Sequence, residues 1–202
     1  MVGLRKVHNQ VPGLSPAADM VKYAPRRIVL PPGASQQIRL LLRRPRDLAA
    51  GEYRSHLWIQ PEEEAVEFAP VEATEKPTVQ IKMLTGLTLP VFVRAGNLTA
   101  EVALSNLKAT RAGNKIDVSL MLERTGTRSV YGDFQFICDG EVAKEVRGIA
   151  VYTEISRRVM DFDVDLSEKN ISSCNQLTVK YNAPEDDAFF KGGLMAEAST
   201  RL

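Results

Sequence analysis

Cysteine is scarce in this chain: Cys138 and Cys174 are the only two in 202 residues. That is too few for a disulfide-framed miniprotein, and the spacing is too wide for a local metal knuckle. The two can form one bridge in an oxidising compartment if their Cα atoms lie within ~7 Å. The alternative is a pair of reduced cysteines at semi-buried strand positions. Aromatic residues make up 6%, with Trp58 the single tryptophan, so the sequence offers no cluster of sugar-stacking rings. Neither charge is in surplus: 26 Lys and Arg face 25 Asp and Glu, a net +1. This balance gives no electrostatic reason to expect nucleic acid or an anionic membrane as partner. No apolar run approaches the ~20 residues of a membrane span. Residues 1–9 lack the apolar stretch of a signal peptide, so the chain read literally is cytoplasmic.

Convergent titratable groups are missing as well. His8 and His56 are the only histidines, and neither sits in a nucleophile or metal-ligand motif. Both read as solvent-facing or packing residues. Asp161, Asp163 and Asp165 invite a calcium reading. Their period of two places them on one face of a strand, with Phe162, Val164 and Leu166 on the other, whereas a calcium loop needs a turn and backbone carbonyls. The expectation is a protein with no catalytic residues, no metal and no cofactor.

What is present is alternation. Val21 to Leu30, Gln36 to Arg43 and Glu52 to Gln60 read as strands, separated by Pro31-Pro-Gly33 and by the stretch from Pro45 to Gly51. Ile38, Leu40 and Leu42 alternate with Arg39, Leu41 and Arg43, which predicts a strand with one buried face. From Pro61 to Thr78 the pattern dissolves into Glu-, Ala- and Pro-rich sequence, read as an acidic loop. Order returns over residues 78–94 as one long strand. Val79, Ile81 and Met83 share a face there, and after Gly86 the alternation resumes as Leu87, Leu89, Val91 and Val93. The second half predicts strands at about 100–109, 115–124, 131–138, 141–152, 157–166, 175–182 and 194–202, with turn signals between them. Short strands at that spacing are the signature of an immunoglobulin-like sandwich. The fold class expected is all-β.

Several stretches together resemble one family. Tyr23-Ala-Pro-Arg-Arg-Ile-Val-Leu-Pro-Pro-Gly33, followed by Gln36-Gln-Ile-Arg-Leu40, is similar to the first domain of the periplasmic pilus chaperones (PapD-like). Gly51-Glu-Tyr-Arg-Ser-His-Leu57 and Leu89-Pro-Val-Phe-Val-Arg94 resemble the next landmarks. Gly132, Gly148-Ile-Ala-Val-Tyr152 and Arg157-Arg158 resemble the second domain of the branch linked to alternative fimbriae. The resemblance implies two immunoglobulin-like β-sandwiches in a boomerang: residues 1–94, incomplete and ending in a donor strand at 78–94, and residues 97–202. It implies a non-enzymatic chaperone that caps pilus or fimbrial subunits by strand addition and delivers them to an outer-membrane usher. The donor row would be Val79, Ile81, Met83 and Thr85. Arg94 would stand in the interdomain cleft.

Two departures qualify that correspondence. Where the family places a carboxylate-anchoring lysine, four positions before the arginine, this chain has Pro90, with neither charge nor N–H. Before Val21 there is room for one strand, about Val2 to Val7, and a loop with Pro12 and Pro16, whereas the family's first domain has two further strands and a signal peptide upstream. The expectation is therefore that Met1 is internal to a longer periplasmic protein and that the first domain is less stable than the second. The competing reading is a structural or adhesive β-sandwich surface protein, such as a pilus subunit. It would carry a self-complementary strand at one terminus.

Overall fold

A computed structural model of the chain describes residues 2–7, 14–61, 83, 85–169, 171–191 and 193–202. Among them the protein is all-β, with antiparallel strands and one 3₁₀ turn at Ser167–Lys169. No helix there is long and apolar enough to cross a membrane. The chain divides into two compact units, Met1–Ala49 with Tyr53–Ala95, and Ala50–Glu52 with Gly96–Leu202.

The first unit contains β1 (Val2–Val7), β2 (Val21–Ala24), β3 (Arg27–Ile28), β4 (Arg39–Leu42), β5 (Gly51–Pro61) and β6 (Leu87–Ala95). One sheet runs in the order β3-β1-β5-β6, and the other is the pair β2-β4. The stretch from Val21 to Leu30, expected as one strand, is two short ones, because Pro25 supplies no N–H to either ladder. The core is thin. Ala17, Met20, Val21 and Val93 form one cluster, and Ile28 with Leu57 forms another.

β4 departs furthest from expectation. All four of its residues are exposed, Leu40 and Leu42 included. The alternation is present: Leu42 stands opposite buried Val21 and Leu40 opposite Tyr23, on the inner row. The predicted burial fails because this sheet has only two described strands. Leu40 lines the sandwich interior, but among the described residues no further strand covers its far side. Most of the acidic stretch from Pro61 to Thr78 lies outside the described residues, apart from Pro61, the last residue of β5.

The second unit is built from β7 (Ala100–Ala112), β8 (Lys115–Gly126), β9 (Val130–Cys138), β10 (Glu141–Val151), β11 (Arg157–Asp165), β12 (Gln176–Asn182) and β13 (Leu194–Arg201). They form a three-stranded sheet, β11-β8-β7, and a four-stranded one, β10-β9-β12-β13. Alternation explains the core directly. Ile116, Val118, Leu120 and Leu122 of β8 point inward. Phe134, Phe136 and Cys138 of β9 and Leu177, Val179 and Tyr181 of β12 meet them. The rings of Phe134 and Tyr181 lie 4.8 Å apart, and Phe162 contacts both Phe134 and Phe136. Tyr181 donates its hydroxyl to Ile149 O at 2.7 Å, and burial pushes the phenol far up from its ordinary pKa. It stays neutral and hydrogen-bonded. The β9–β10 hairpin turns at Asp139 and Gly140, with φ of 47° and 98°. Positive values at both central residues match the twist of the flanking strands, and Asp-Gly is a favoured pair for such a turn.

Candidate functional site

β6 combines a sheet-edge position with an apolar row. β6 is the last strand in its sheet, so among the described residues one of its edges carries no ladder. Pro90 suits such a position, since a missing N–H is tolerated at a sheet edge. Leu87, Leu89, Val91 and Val93 share a face by parity. Exposure along that row falls steadily: Leu87 is 56% exposed, Leu89 is 42%, Val91 is half-buried and Val93 is 5%. Val93 is held among Ala17, Met20 and Val21, and Val91 packs against both core clusters. One end of the row is anchored in this protein's own interior and the other end is open to solvent. Met83, ahead of the strand, is 87% exposed.

The chain approaches β6 through Gly86. A Cβ there would sit 2.6 Å from Nε1 of Trp58 and 3.2 Å from the carbonyl oxygen of Ile59. The absent side chain lets the backbone run against β5. Here the expected strand over 78–94 is corrected. Met83, Thr85 and Gly86 belong to no strand, and β6 begins at Leu87. Of the donor row read from the resemblance, Thr85 and Met83 are exposed. Val79 and Ile81 lie outside the described residues. Leu87 and Leu89 belong to the site by geometry. The unbroken period of two after Gly86 is the sequence signal for them.

Arg94, also on β6, is exposed, with its guanidinium 5.0 Å from the centroid of the Phe92 ring. Glu197 pairs with Lys180 at 3.5 Å, and Glu52 accepts from the backbone N–H of Ser129 at 3.1 Å and from its hydroxyl.

Cys138 and Cys174 are bonded to each other, with Cα atoms 5.1 Å apart. Cys138 closes β9 and Cys174 stands just before β12, its neighbour in the sheet. Asp139 reinforces the same corner by accepting from the backbone N–H groups of Asn175 and Gln176, each at 2.9 Å. Those two bonds hold its carboxyl below the ordinary range. His56 is half-buried on β5, lining a small apolar cavity of about 20 Å³ with Val21, Tyr23, Leu40, Leu57 and Val91; His8 lies outside the described residues. Asp161 and Asp163 are exposed on β11, and Asp165 accepts from the N–H of Ser167 at 2.9 Å.

A scan against protein-family models, a search of curated proteins and a search of solved structures each found no match to this chain.

Proposed function

We propose that this chain is a periplasmic assembly chaperone that caps pilus or fimbrial subunits by strand donation and passes them to an outer-membrane usher. In this reading it works without catalysis, metal or cofactor, as two immunoglobulin-like sandwiches in a boomerang arrangement. The observation that carries the proposal is the graded apolar row on the open edge of β6. A subunit lacking one strand presents a groove with unpaired backbone groups and apolar sockets. An edge strand satisfies the first with main-chain hydrogen bonds and the second with alternate side chains. Leu87 and Leu89 are the described strand residues that fill the sockets, with Met83 continuing the row. Each contributes about 1.5–3 kcal/mol if fully buried, before ordering costs. Val93 keeps the strand's other end fixed, so part of that ordering cost is met in advance.

Three further observations support the reading. Motifs resembling the pilus chaperones occur in family order along most of the chain. The second unit divides its seven strands three against four, β11-β8-β7 and β10-β9-β12-β13. The Cys138–Cys174 bond suits an oxidising compartment such as the periplasm. Arg94, in this reading, faces the interdomain cleft.

The test is co-purification from the host's periplasm with the tagged chain and two variants, Met83→Asp and Leu87→Asp, bound proteins being identified by mass spectrometry. Met83 lies in no strand, so its substitution leaves the ladders intact. A β-rich subunit with an incomplete sandwich is expected on the parent chain and depleted on both variants. Equal capture by all three would assign the apolar row to this protein's own packing and overturn the proposal.

A further inference from the structure

Another open edge among the described residues of the first unit belongs to β4, and its chemistry differs from that of β6. β4 pairs with β2 from Val21↔Leu42 to Ala24↔Arg39, and no further strand joins this sheet among the described residues. Two rows result. The inner one holds Leu40 and Leu42, exposed although they share a face with Val21 and Tyr23, and Leu40 lines the cavity between the sheets. The outer one holds Arg39, Leu41 and Arg43, with Lys22 opposite Leu41. Arg39, Arg43, Arg44 and Arg46 are all exposed, and no carboxylate occurs from Ile38 to Arg46. An added strand would therefore meet apolar sockets on one face and a line of cations on the other.

We propose that the free edge of β4 takes up an extended peptide strand in which apolar and acidic residues alternate. The apolar residues cover Leu40 and Leu42 and complete the sandwich on that side. The carboxylates lie over Arg39, Arg43 and Lys22, where opposite charges on neighbouring strands are favourable. The charge pattern excludes a second copy adding through β6, because residues 85–94 contain no Asp or Glu. It also favours peptide over nucleic acid. Phosphates would engage the arginines but leave Leu40, Leu41 and Leu42 wet. Tyr23, the one aromatic on β2 and β4, is half-buried on the inner row rather than offered for base stacking. The inference stands apart from the role of β6, since it concerns a different edge.

The test uses an acetylated Val–Glu alternating octapeptide, its Val–Lys counterpart and a short oligothymidine, each titrated into the isotope-labelled chain while amide shifts are followed. The Val–Glu peptide is expected to shift the amides of β4, with affinity falling as salt rises. An Arg39→Glu, Arg43→Glu variant should reverse the preference, losing about tenfold toward Val–Glu and gaining about tenfold toward Val–Lys. Both positions are exposed, and the variant's circular dichroism and thermal midpoint verify that it still folds. Absence of Val–Glu binding, equal binding of the two peptides, or shifts confined to β6 would overturn the proposal. Oligothymidine shifting the same β4 amides with equal affinity would overturn it in favour of a nucleic-acid surface. Concentration-dependent dimerisation that protects β4 would replace the peptide with a second copy.

Discussion

Arg124, at the end of β8, holds together what the strand ladders leave loose. Its guanidinium donates to the carbonyl oxygens of Gly126 at 2.8 Å, Arg128 at 3.1 Å and Thr153 at 3.4 Å. Those carbonyls belong to the last residue of β8, the β8–β9 connection and the β10–β11 connection. Burial draws its pKa down, opposed by the charges of Glu52 and Glu154. A forked cation can serve several carbonyls at once, whereas a lysine ammonium cannot reach across both loops. Arg124→Ala is expected to destabilise the second unit by about 3 kcal/mol, and Arg124→Lys to recover less than half of the loss. Urea unfolding checks both; a fully restored lysine variant would show that charge alone matters. Asp139 supplies a pH dependence. Its folded pKa is depressed by the Asn175 and Gln176 N–H groups, so its contribution is present above the unfolded value and lost as pH falls through the folded one. The window opens below about pH 4. Asp139→Asn should flatten the decline of thermal stability from about pH 4 to about pH 2, and an unchanged slope would refute this role.

At the scale of elements, the sheet corner between β9 and β12 carries the covalent link. The bond closes a sequence separation of 36 residues, for which loop entropy gives about 4 kcal/mol. A Cys138→Ala, Cys174→Ala double variant should lose 2–4 kcal/mol, roughly, and its unfolding midpoint should no longer respond to reductant. A parent chain indifferent to reductant would overturn the stabilising role. The strands on either side of this corner were legible in the sequence to within a residue or two. Alternation predicted 131–138, and β9 is Val130–Cys138; it predicted 175–182, and β12 is Gln176–Asn182. Those strands bury one face against a full opposing sheet, so local pattern and tertiary packing agree. β4 shows the converse. Its pattern was read correctly and its burial was not, because burial depends on a neighbouring strand that no local period reports. Arg124 was illegible for the same reason: its acceptors lie as far off as Thr153 and are backbone atoms, which carry no residue signature.

At the scale of the whole chain, the two units differ in how much apolar surface they remove from water. Among the described residues the second unit has one continuous cluster, with Ile116, Leu120, Leu122, Phe134, Phe136, Leu166, Leu177 and Tyr181 all at 2% exposure or less. The described residues of the first unit form two small clusters, built on Ala17, Met20, Val21 and Val93, and on Ile28 and Leu57. This unit also leaves Leu40, Leu41, Leu42, Leu87 and Leu89 in solvent. Hydrophobic burial dominates the favourable side of folding, so the first unit opens at a lower free-energy cost. Native-state hydrogen exchange should find the amides of β5 and β6 exchanging on the order of a hundredfold faster than those of β8, β9 and β12. Reducing the disulfide should narrow that gap from the side of the second unit alone. Under the proposed function, a strand that leaves solvent to enter a partner's groove gains from belonging to the less stable unit, because its local adjustment costs little there. Equal protection in β6 and β9 would mean that the first unit is stabilised by something other than its own apolar core. The row from Leu87 to Val93 would then be a rigid surface rather than a strand poised for exchange.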